Sequence, residues 1–252
     1  MIKVTNLSLD YPASGISVLQ NVNFSAGRGE RIALIGANGA GKSTLLLSLV
    51  GVVPPSAGGV EINGIPVLPK NYPEVRRLAG LVFQNPDDQL FMPTLWEDVL
   101  FGPRNWAFSK QKHKARMPID AGSMANIEEK CLRQLEALGI SALKDRLSHK
   151  LSGGEKRLGA LASVLVMEPA VLLLDEPTAF LDPKSRRRLI AILRELTCPD
   201  GSPQTMLVAT HDLDFARALC GRAILLSGKT VHTCGPASAI LDDGALLESC
   251  GL

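Results

Sequence analysis

Gly36-Ala37-Asn38-Gly39-Ala40-Gly41-Lys42-Ser43-Thr44 is the stretch that decides the fold, and it directly follows the apolar stretch Arg31–Ile35. It fits the phosphate-binding pattern G-x-x-x-x-G-K-[ST], placed where a strand turns into a helix. Glycines let the backbone curl tightly, so that successive N–H groups can face a phosphate, and the helix dipole adds to the attraction. The pattern therefore predicts a nucleoside triphosphate ligand, with Lys42 on its β- and γ-phosphates and the Ser43 hydroxyl on Mg²⁺.

The bulk properties exclude several other classes of protein. A chain of 252 residues can bury a proper core, and its formal net charge of +2 gives no field that would attract nucleic acid. The five cysteines are scattered and contain no C-x-x-C pair, which predicts reduced thiols. No segment reaches the roughly 20 apolar residues of a membrane helix, so the chain is not expected to cross a bilayer.

Hydrophobic patterning predicts an α/β fold with two kinds of sheet. Short segments that are apolar nearly throughout are typical of strands buried on both faces of a parallel sheet. These segments are Ile32–Ile35, Leu81–Phe83, Val171–Leu174 and Met206–Ala209. The N-terminal third instead alternates apolar and polar residues, and Asn63-Gly64 is a strong hairpin signal. An antiparallel sheet attached to the parallel sheet is therefore expected.

Between Gln84 and Ser152 the pattern becomes helical. Residues 127–139 place apolar side chains at helical spacing and end on Gly139, a natural helix stop. The polar stretch Ser109–Asn126, with its cluster of Lys and Arg, favours a solvated loop, although a patch touching lipid headgroups or a membrane partner is an alternative.

Two further features support phosphate chemistry. Residues 171–176 end a buried strand with Asp175-Glu176, which places Asp175 to hold Mg²⁺ and Glu176 to polarise an attacking water. Ser152-Gly153-Gly154-Glu155 combines a capping box with two glycines, so this helix start is a second anion site. One nucleotide cannot easily use both helix starts of a single chain. A two-fold dimer can set each chain's second site opposite the other's first.

In these motifs the chain resembles the nucleotide-binding subunit of ABC transporters over essentially its whole length. The matching features are Walker A at 36–44, the Q-loop Gln84, the signature at 151–155, Walker B ending in Asp175-Glu176, the D-loop at 179–182 and the switch His211. The resemblance implies a P-loop ATPase core with a mixed, mainly parallel sheet, an N-terminal antiparallel β subdomain and an α-helical signature subdomain. It also implies one ABC ATPase domain over residues 1–252, with the helical subdomain at approximately 86–165.

The same resemblance assigns roles to single residues. Tyr11 would stack on adenine, Gln84 would sense Mg²⁺ and the attacking water, and His211 would contact the γ-phosphate from within its own chain. The nucleotide-binding set is Gly36, Asn38, Gly39, Ala40, Gly41, Lys42, Ser43 and Thr44, and the Mg²⁺ set is Ser43, Gln84 and Asp175. The nucleotide of the opposite subunit would be contacted by Ser152, Gly153, Gly154 and Glu155. Asp182 would be the aspartate of the D-loop.

A narrower resemblance follows the Q-loop. Residues 83–91, then Pro93-Thr94, Glu97-Asp98-Val99 and Phe101-Gly102-Pro103, are similar to energy-coupling-factor importers. This implies a peripheral ATPase on the cytoplasmic face of the membrane, paired as a homodimer or with a related ATPase and bound to an integral membrane component. The cargo expected is cobalt or nickel, with a vitamin as the alternative. Asp87-Asp88 is interpreted as a surface for the membrane partner, the alternatives being an acidic loop or a metal site.

The chain departs from the family pattern at three places. Glu155 replaces the usual Gln, and Lys156 and Arg157 are expected to offset its charge. Phe180 replaces a small D-loop residue, and Ser109–Asn126 is longer than usual. Two rival functions are open to such a chain. One is a soluble ABC protein acting on DNA or ribosomes, which usually carries a coiled-coil insertion or two ATPase domains. The other is a binder that holds ATP without turnover. Glu176 argues against the second rival.

Overall fold

A computed structural model describes residues 1–11, 15–111 and 121–252. The strands are β1 (Ile2–Tyr11), β2 (Ile16–Ala26), β3 (Arg31–Ile35), β4 (Ala57–Ile62), β5 (Ile65–Pro66), β6 (Ala79–Val82), β7 (Val171–Asp175), β8 (Thr205–Ala209), β9 (Arg222–Ser227) and β10 (Thr230–Pro236). The helices are α1 (Lys42–Leu49), α2 (Tyr72–Leu78), α3 (Leu95–Gln111), α4 (Ala121–Ala137), α5 (Gly153–Leu165), α6 (Pro183–Glu195), α7 (Leu213–Leu219), α8 (Ala237–Leu241) and α9 (Gly244–Ser249).

The chain divides into two compact units. The first unit comprises Met1–Gln84, Pro169–Ala179 and Ile190–Leu252, and the second comprises Asn85–Glu168 and Phe180–Leu189. Among the described residues, no helix is long and apolar enough to cross a membrane.

The first unit is built on a main sheet with the strand order β10-β9-β3-β8-β7-β6. All neighbours pair in parallel except β10, which is antiparallel to β9. The apolar runs of β7 and β8 are buried along their whole length, as expected for strands covered on both faces. The mixed, mainly parallel sheet predicted from the sequence is therefore confirmed, while the pair β9 and β10 was not anticipated.

Strand register brings the ends of three central strands to one edge of this sheet. Leu34 of β3 and Asp175 of β7 both pair with Ala209, the last residue of β8. Each strand leads directly into a predicted functional segment, because residues 36–44 follow β3, Glu176 follows β7 and Thr210-His211 follow β8. Ligands of open α/β sheets gather at this edge.

The second sheet of the first unit is antiparallel, with the order β2-β1-β4-β5. Asn63 and Gly64 both have positive φ, as a two-residue hairpin turn requires, so the predicted hairpin is confirmed. Strand β2 escaped prediction because register shifts in its pairing with β1 break the two-residue period. Both sheets and α1 share one apolar core.

The second unit is helical and contains α3, α4 and α5. A Cβ at Gly159 of α5 would meet the Leu95 side chain of α3 at 2.7 Å, so a larger residue there would require Leu95 to shift. The expectation of a loop over Ser109–Asn126 is wrong at both ends, because α3 continues to Gln111 and α4 begins at Ala121. Residues 112–120 of that stretch lie outside the described residues.

Candidate nucleotide-binding and hydrolysis site

The loop between β3 and α1 owes its shape to two glycines. At Gly36 a Cβ would lie 2.6 Å from the Leu226 carbonyl oxygen, so a side chain there would collide with β9. Gly41 caps α1 with φ 95°, a left-handed conformation that L-residues rarely adopt, and lies against Leu19. The loop therefore curls over the sheet edge and ends at a helix N-terminus, the arrangement that binds phosphate through backbone N–H groups.

Lys42 is held inside this curl. Its side chain is only 7% exposed, and its Nζ donates hydrogen bonds to the carbonyls of Gly36 at 2.7 Å and Ala37 at 3.2 Å. Burial lowers the pKa of Lys42, while the charges of Glu176 and Asp175 oppose that shift. Nζ lies 4.0 Å from the nearer carboxylate oxygen of Glu176, so the cation and the proposed base share one site.

Glu176 is fixed by the segment that follows β8. Its Oε2 accepts from the Thr210 hydroxyl at 3.2 Å and from the His211 N–H at 3.3 Å, and it lies 2.9 Å from His211 Nδ1. Its backbone is left-handed, with φ 42°, and its N–H donates to the Ala209 carbonyl. A buried carboxylate held in a strained turn is an arrangement found at functional sites.

These groups line one cleft of about 860 Å³ in the first unit. The predicted residues on its wall are Asn38, Gly39, Ala40, Gly41, Lys42, Ser43, Thr44, Gln84, Glu176 and His211. Asp175 is buried at the end of β7, where its charge acts on Lys42. The side chain of Tyr11, predicted to stack on adenine, lies outside the described residues.

Sequence reasoning missed part of the cleft wall. Ser17 and Val18 of β2, the turn Ser227-Gly228-Lys229 between β9 and β10, and Cys250 all line it. The Ser227-Gly228 pair after the apolar run 223–226 is a turn signal that could have revealed the β9–β10 hairpin. No local pattern connects Cys250 to the phosphate loop.

The signature segment forms the start of α5 in the second unit. The Ser152 N–H donates to Glu155 Oε2 at 2.7 Å, and the Glu155 N–H donates to the Ser152 hydroxyl at 3.4 Å, so the predicted capping box is confirmed. A Cβ at Gly154 would meet Ser185 Oγ at 2.8 Å, whereas Gly153 faces open space. The helix start is therefore open at Gly153 and closely packed at Gly154.

The charge of Glu155 is accommodated differently from the sequence-based expectation. Its carboxylate is used in the capping box, and the hydrogen bonds from Ser152 lower its pKa. The nearby cation is Arg146, 3.9 Å away, and not Lys156, whose Nζ instead contacts Asp87 at 2.6 Å. Lys156 of α5 therefore pairs with the segment after Gln84, and the expectation that it offsets the charge of Glu155 is wrong.

Asp182 begins α6 beside the signature. Its Oδ1 accepts from the N–H groups of Lys184 at 2.9 Å and Ser185 at 3.1 Å, and its other oxygen accepts from the Ser185 hydroxyl. A cavity of about 240 Å³ in the second unit is lined by both Asp182 and Ser152. The structure thus brings the predicted signature and D-loop residues together.

The segment after Gln84, residues 85–99, is fastened to α5. Gln89 donates to the Ala160 carbonyl at 2.9 Å and to the Ser163 hydroxyl at 3.1 Å. Its outer surface carries Phe91, 62% exposed, in edge contact with Phe101. An exposed aromatic pair next to two acidic residues is a surface suited to a partner.

The chain is similar to ABC transporter ATP-binding proteins over nearly its whole length. A family model described as ABC transporter matches residues 19–179. A putative ABC transporter ATP-binding protein of Gloeobacter violaceus is 46% identical over 252 residues, covering 99% of this chain and 94% of that protein. The energy-coupling factor transporter ATP-binding protein EcfA of Methanothermobacter thermautotrophicus is 39% identical over 254 residues, covering 100% and 76%.

Solved structures are similar over nearly the whole chain. CbiO1 of Clostridium perfringens, part of the ABC transporter complex CbiONQ, has a TM-score of 0.79 and 33% identity, covering 98% of this chain and 93% of that one. MJ0796, a bacterial ABC transporter cassette solved as a dimer, has a TM-score of 0.77 and 27% identity, covering 94% and 99%.

Proposed function

Because the chain belongs to the ABC transporter family and is an ATPase of that family, we propose that it is the motor of an energy-coupling-factor-type importer. The observation that carries the ATP-hydrolysing part of this proposal is the clustering of Lys42, Glu176 and His211 at the phosphate-loop cleft. The similarity to EcfA and CbiO1 supports the importer class. The position proposed for the protein is the cytoplasmic face of the membrane, peripheral to an integral partner.

The proposed hydrolysis uses the chain's own residues. Glu176 accepts a proton from a water whose oxygen attacks the γ-phosphorus, while the bond to the β-phosphate bridging oxygen breaks and releases ADP and phosphate. Thr210 and His211 hold the Glu176 carboxylate in place, and Lys42 neutralises charge on the β- and γ-phosphates. The exposed His211 is available to the γ-phosphate.

The donor set of the cleft fits Mg²⁺. Ser43 and Gln84 line the same cleft, Asp175 lies beneath it, and all three offer oxygen ligands of the kind that this ion prefers. These residues would hold Mg²⁺, which when bound supplies charge neutralisation between the β- and γ-phosphates.

The proposed assembly is a dimer, either of two copies or with a related ATPase. The start of α5 is open at Gly153, as an anion site at a helix N-terminus requires, but it belongs to a different unit from the phosphate loop. A two-fold interface sets the Ser152-Gly153-Gly154 turn of one chain on the γ-phosphate held by the other. The dimeric cassette MJ0796 supports this assembly.

The proposed membrane contact is the segment 85–99 with Asp87, Asp88 and the Phe91–Phe101 pair. Since Asp87 is engaged by Lys156, Asp88 is the acid more available to a partner. The cargo we propose is a cobalt or nickel ion bound by the membrane component, with a vitamin as the alternative cargo. The likeness of residues 83–103 to such importers and the similarity to CbiO1 support this choice.

Co-purification tests the proposal. The tagged protein, extracted from detergent-solubilised membranes, should carry a small integral membrane protein, and that complex should retain cobalt or nickel by elemental analysis. Asp88→Asn should weaken transport while basal ATP hydrolysis remains, and Glu61→Gln on β4 is the matched control. A retained vitamin would favour the alternative cargo, and recovery of only soluble partners would contradict the importer class.

A further inference from the structure

Phe180 has an exposed aromatic side chain on a left-handed backbone, and both features are energetically unfavourable. Its side chain is 93% exposed, the highest value among the exposed large apolar side chains of the described residues. Its φ is +61°, a left-handed backbone that is uncommon for a bulky residue. A lone exposed apolar side chain needs no explanation, but one displayed on a strained backbone indicates a functional constraint.

The residues that follow Phe180 fix its position. Leu181 and Asp182 line the cavity that Ser152 and Gly154 also line. Asp182 is held by three hydrogen bonds from the first turn of α6. Phe180 therefore directly precedes a turn held by hydrogen bonds. It lies at the border of the surface formed by Ser152, Gly154, Leu181 and Asp182, which we call the signature surface.

We propose that Phe180 is an aromatic anchor of the interface with a second copy of this chain. The inference rests on the proposed function, in which the signature surface faces the phosphate loop of the partner copy. Continuity with that surface selects a second copy as the occupant, because Leu181 and Ser152 share one cavity. Aromatic side chains that become desolvated at an interface commonly dominate its affinity.

The test uses the slowly hydrolysing variant Glu176→Gln in ATP, with the dimer dissociation constant measured by sedimentation. Phe180→Asn is added because asparagine tolerates left-handed backbone, so only the ring is lost. Phe180→Tyr keeps the ring. Phe108→Ala is the matched control, since Phe108 is an exposed aromatic on α3.

Loss of an interface anchor weakens association about tenfold or more, and a two-fold interface uses Phe180 twice, so Phe180→Asn should raise the dissociation constant about a hundredfold. Phe180→Tyr and Phe108→Ala should stay within about threefold of the Glu176→Gln reference. An unchanged constant for Phe180→Asn would overturn this inference and leave the dimer intact. A Glu176→Gln protein that stays monomeric in ATP would contradict the proposed dimer itself.

Discussion

At the scale of residues, the surroundings of Lys42 suit the phosphate chemistry proposed for it. Burial removes its ammonium group from water and lowers its pKa, while the carbonyls of Gly36 and Ala37 and the charges of Glu176 and Asp175 stabilise the cation. A buried cation aimed by backbone carbonyls needs no reorganisation when an anion arrives, which is the condition for strong electrostatic stabilisation of a transition state.

Replacing Lys42 with Ala should reduce ATP turnover at least about a hundredfold, because this change removes a preorganised cation from the cleft. Steady-state hydrolysis and calorimetric ATP binding measure the effect. Lys3→Ala, which removes an exposed lysine of β1, is the control and should leave both unchanged. Activity of Lys42→Ala at the level of the control would contradict the assignment of the phosphate loop.

Replacing Glu176 with Gln keeps the shape of the side chain and removes the base, so turnover should fall by about 10²–10⁴ while ATP binding remains. Single-turnover hydrolysis of radiolabelled ATP measures this. Thr210→Val removes one of the hydrogen bonds to Glu176 and should reduce turnover less. Wild-type turnover in Glu176→Gln would exclude Glu176 as the base.

The sequence predicts those site residues that lie together in a short, recognisable motif. The phosphate loop, Glu176 and the capping box of Ser152 each occupy a few consecutive positions, and the structure places them as expected. Cys250 reaches the cleft through tertiary packing alone, so no spacing reveals it. The prediction that Lys156 offsets Glu155 failed for the same reason, because its actual partner Asp87 lies 69 positions earlier in the chain.

At the scale of elements, Asp98 of α3 organises the segment before it. It is buried, and its carboxylate accepts from the N–H groups of Phe91 at 3.0 Å and Met92 at 2.9 Å and from the Ser148 hydroxyl at 2.7 Å. These bonds hold the chain behind the exposed Phe91 ring. Burial nevertheless raises the pKa of Asp98 above its usual 3.8, against the effect of the donors.

Replacing Asp98 with Ala should lower the free energy of unfolding by about 3 kcal/mol, because three donors lose their acceptor in a buried site. Asp98→Asn keeps one acceptor oxygen and should cost about 1 kcal/mol at pH 4. Urea denaturation measures both values. Equal stability of Asp98→Ala and wild type would show that the segment is held by other contacts.

The pH dependence of that comparison has a definite sign. Because the pKa of Asp98 is higher in the folded state than in the unfolded state, the wild type loses stability as the pH rises above 3.8 through the folded pKa. Asp98→Asn cannot ionise and lacks this loss, so its stability relative to wild type should improve with pH across that window. A difference that is constant between pH 4 and 7 would contradict the burial of the charge.

Element prediction succeeded where the local sequence pattern was unambiguous. The buried strands β7 and β8 and the turn at Asn63-Gly64 follow directly from local pattern. Strand β2 was missed because bulges shift its register. The ends of α3 and α4 were missed because residues 109–111 and 121–126 contain few large apolar side chains.

At the scale of the whole molecule, the two proposed anion sites lie in different units of the chain. The cleft at the phosphate loop holds the Lys42 cation and the Glu176 carboxylate, whereas the start of α5 has open space at Gly153. In the proposed dimer, two-fold pairing would join these halves into two composite sites. Removal of the γ-phosphate by hydrolysis would then separate the copies and move the segment 85–99 against its partner.

Mixing two inactive variants tests this pairing most directly. Lys42→Ala disables the phosphate loop, and Gly153→Asp places a carboxylate where a γ-phosphate would bind, in a position with space for it. If the site is shared between copies, a mixed dimer contains one intact site, so combining the two proteins should restore ATPase activity to about a quarter of wild type. A mixture as inactive as its two components would contradict a site shared between copies.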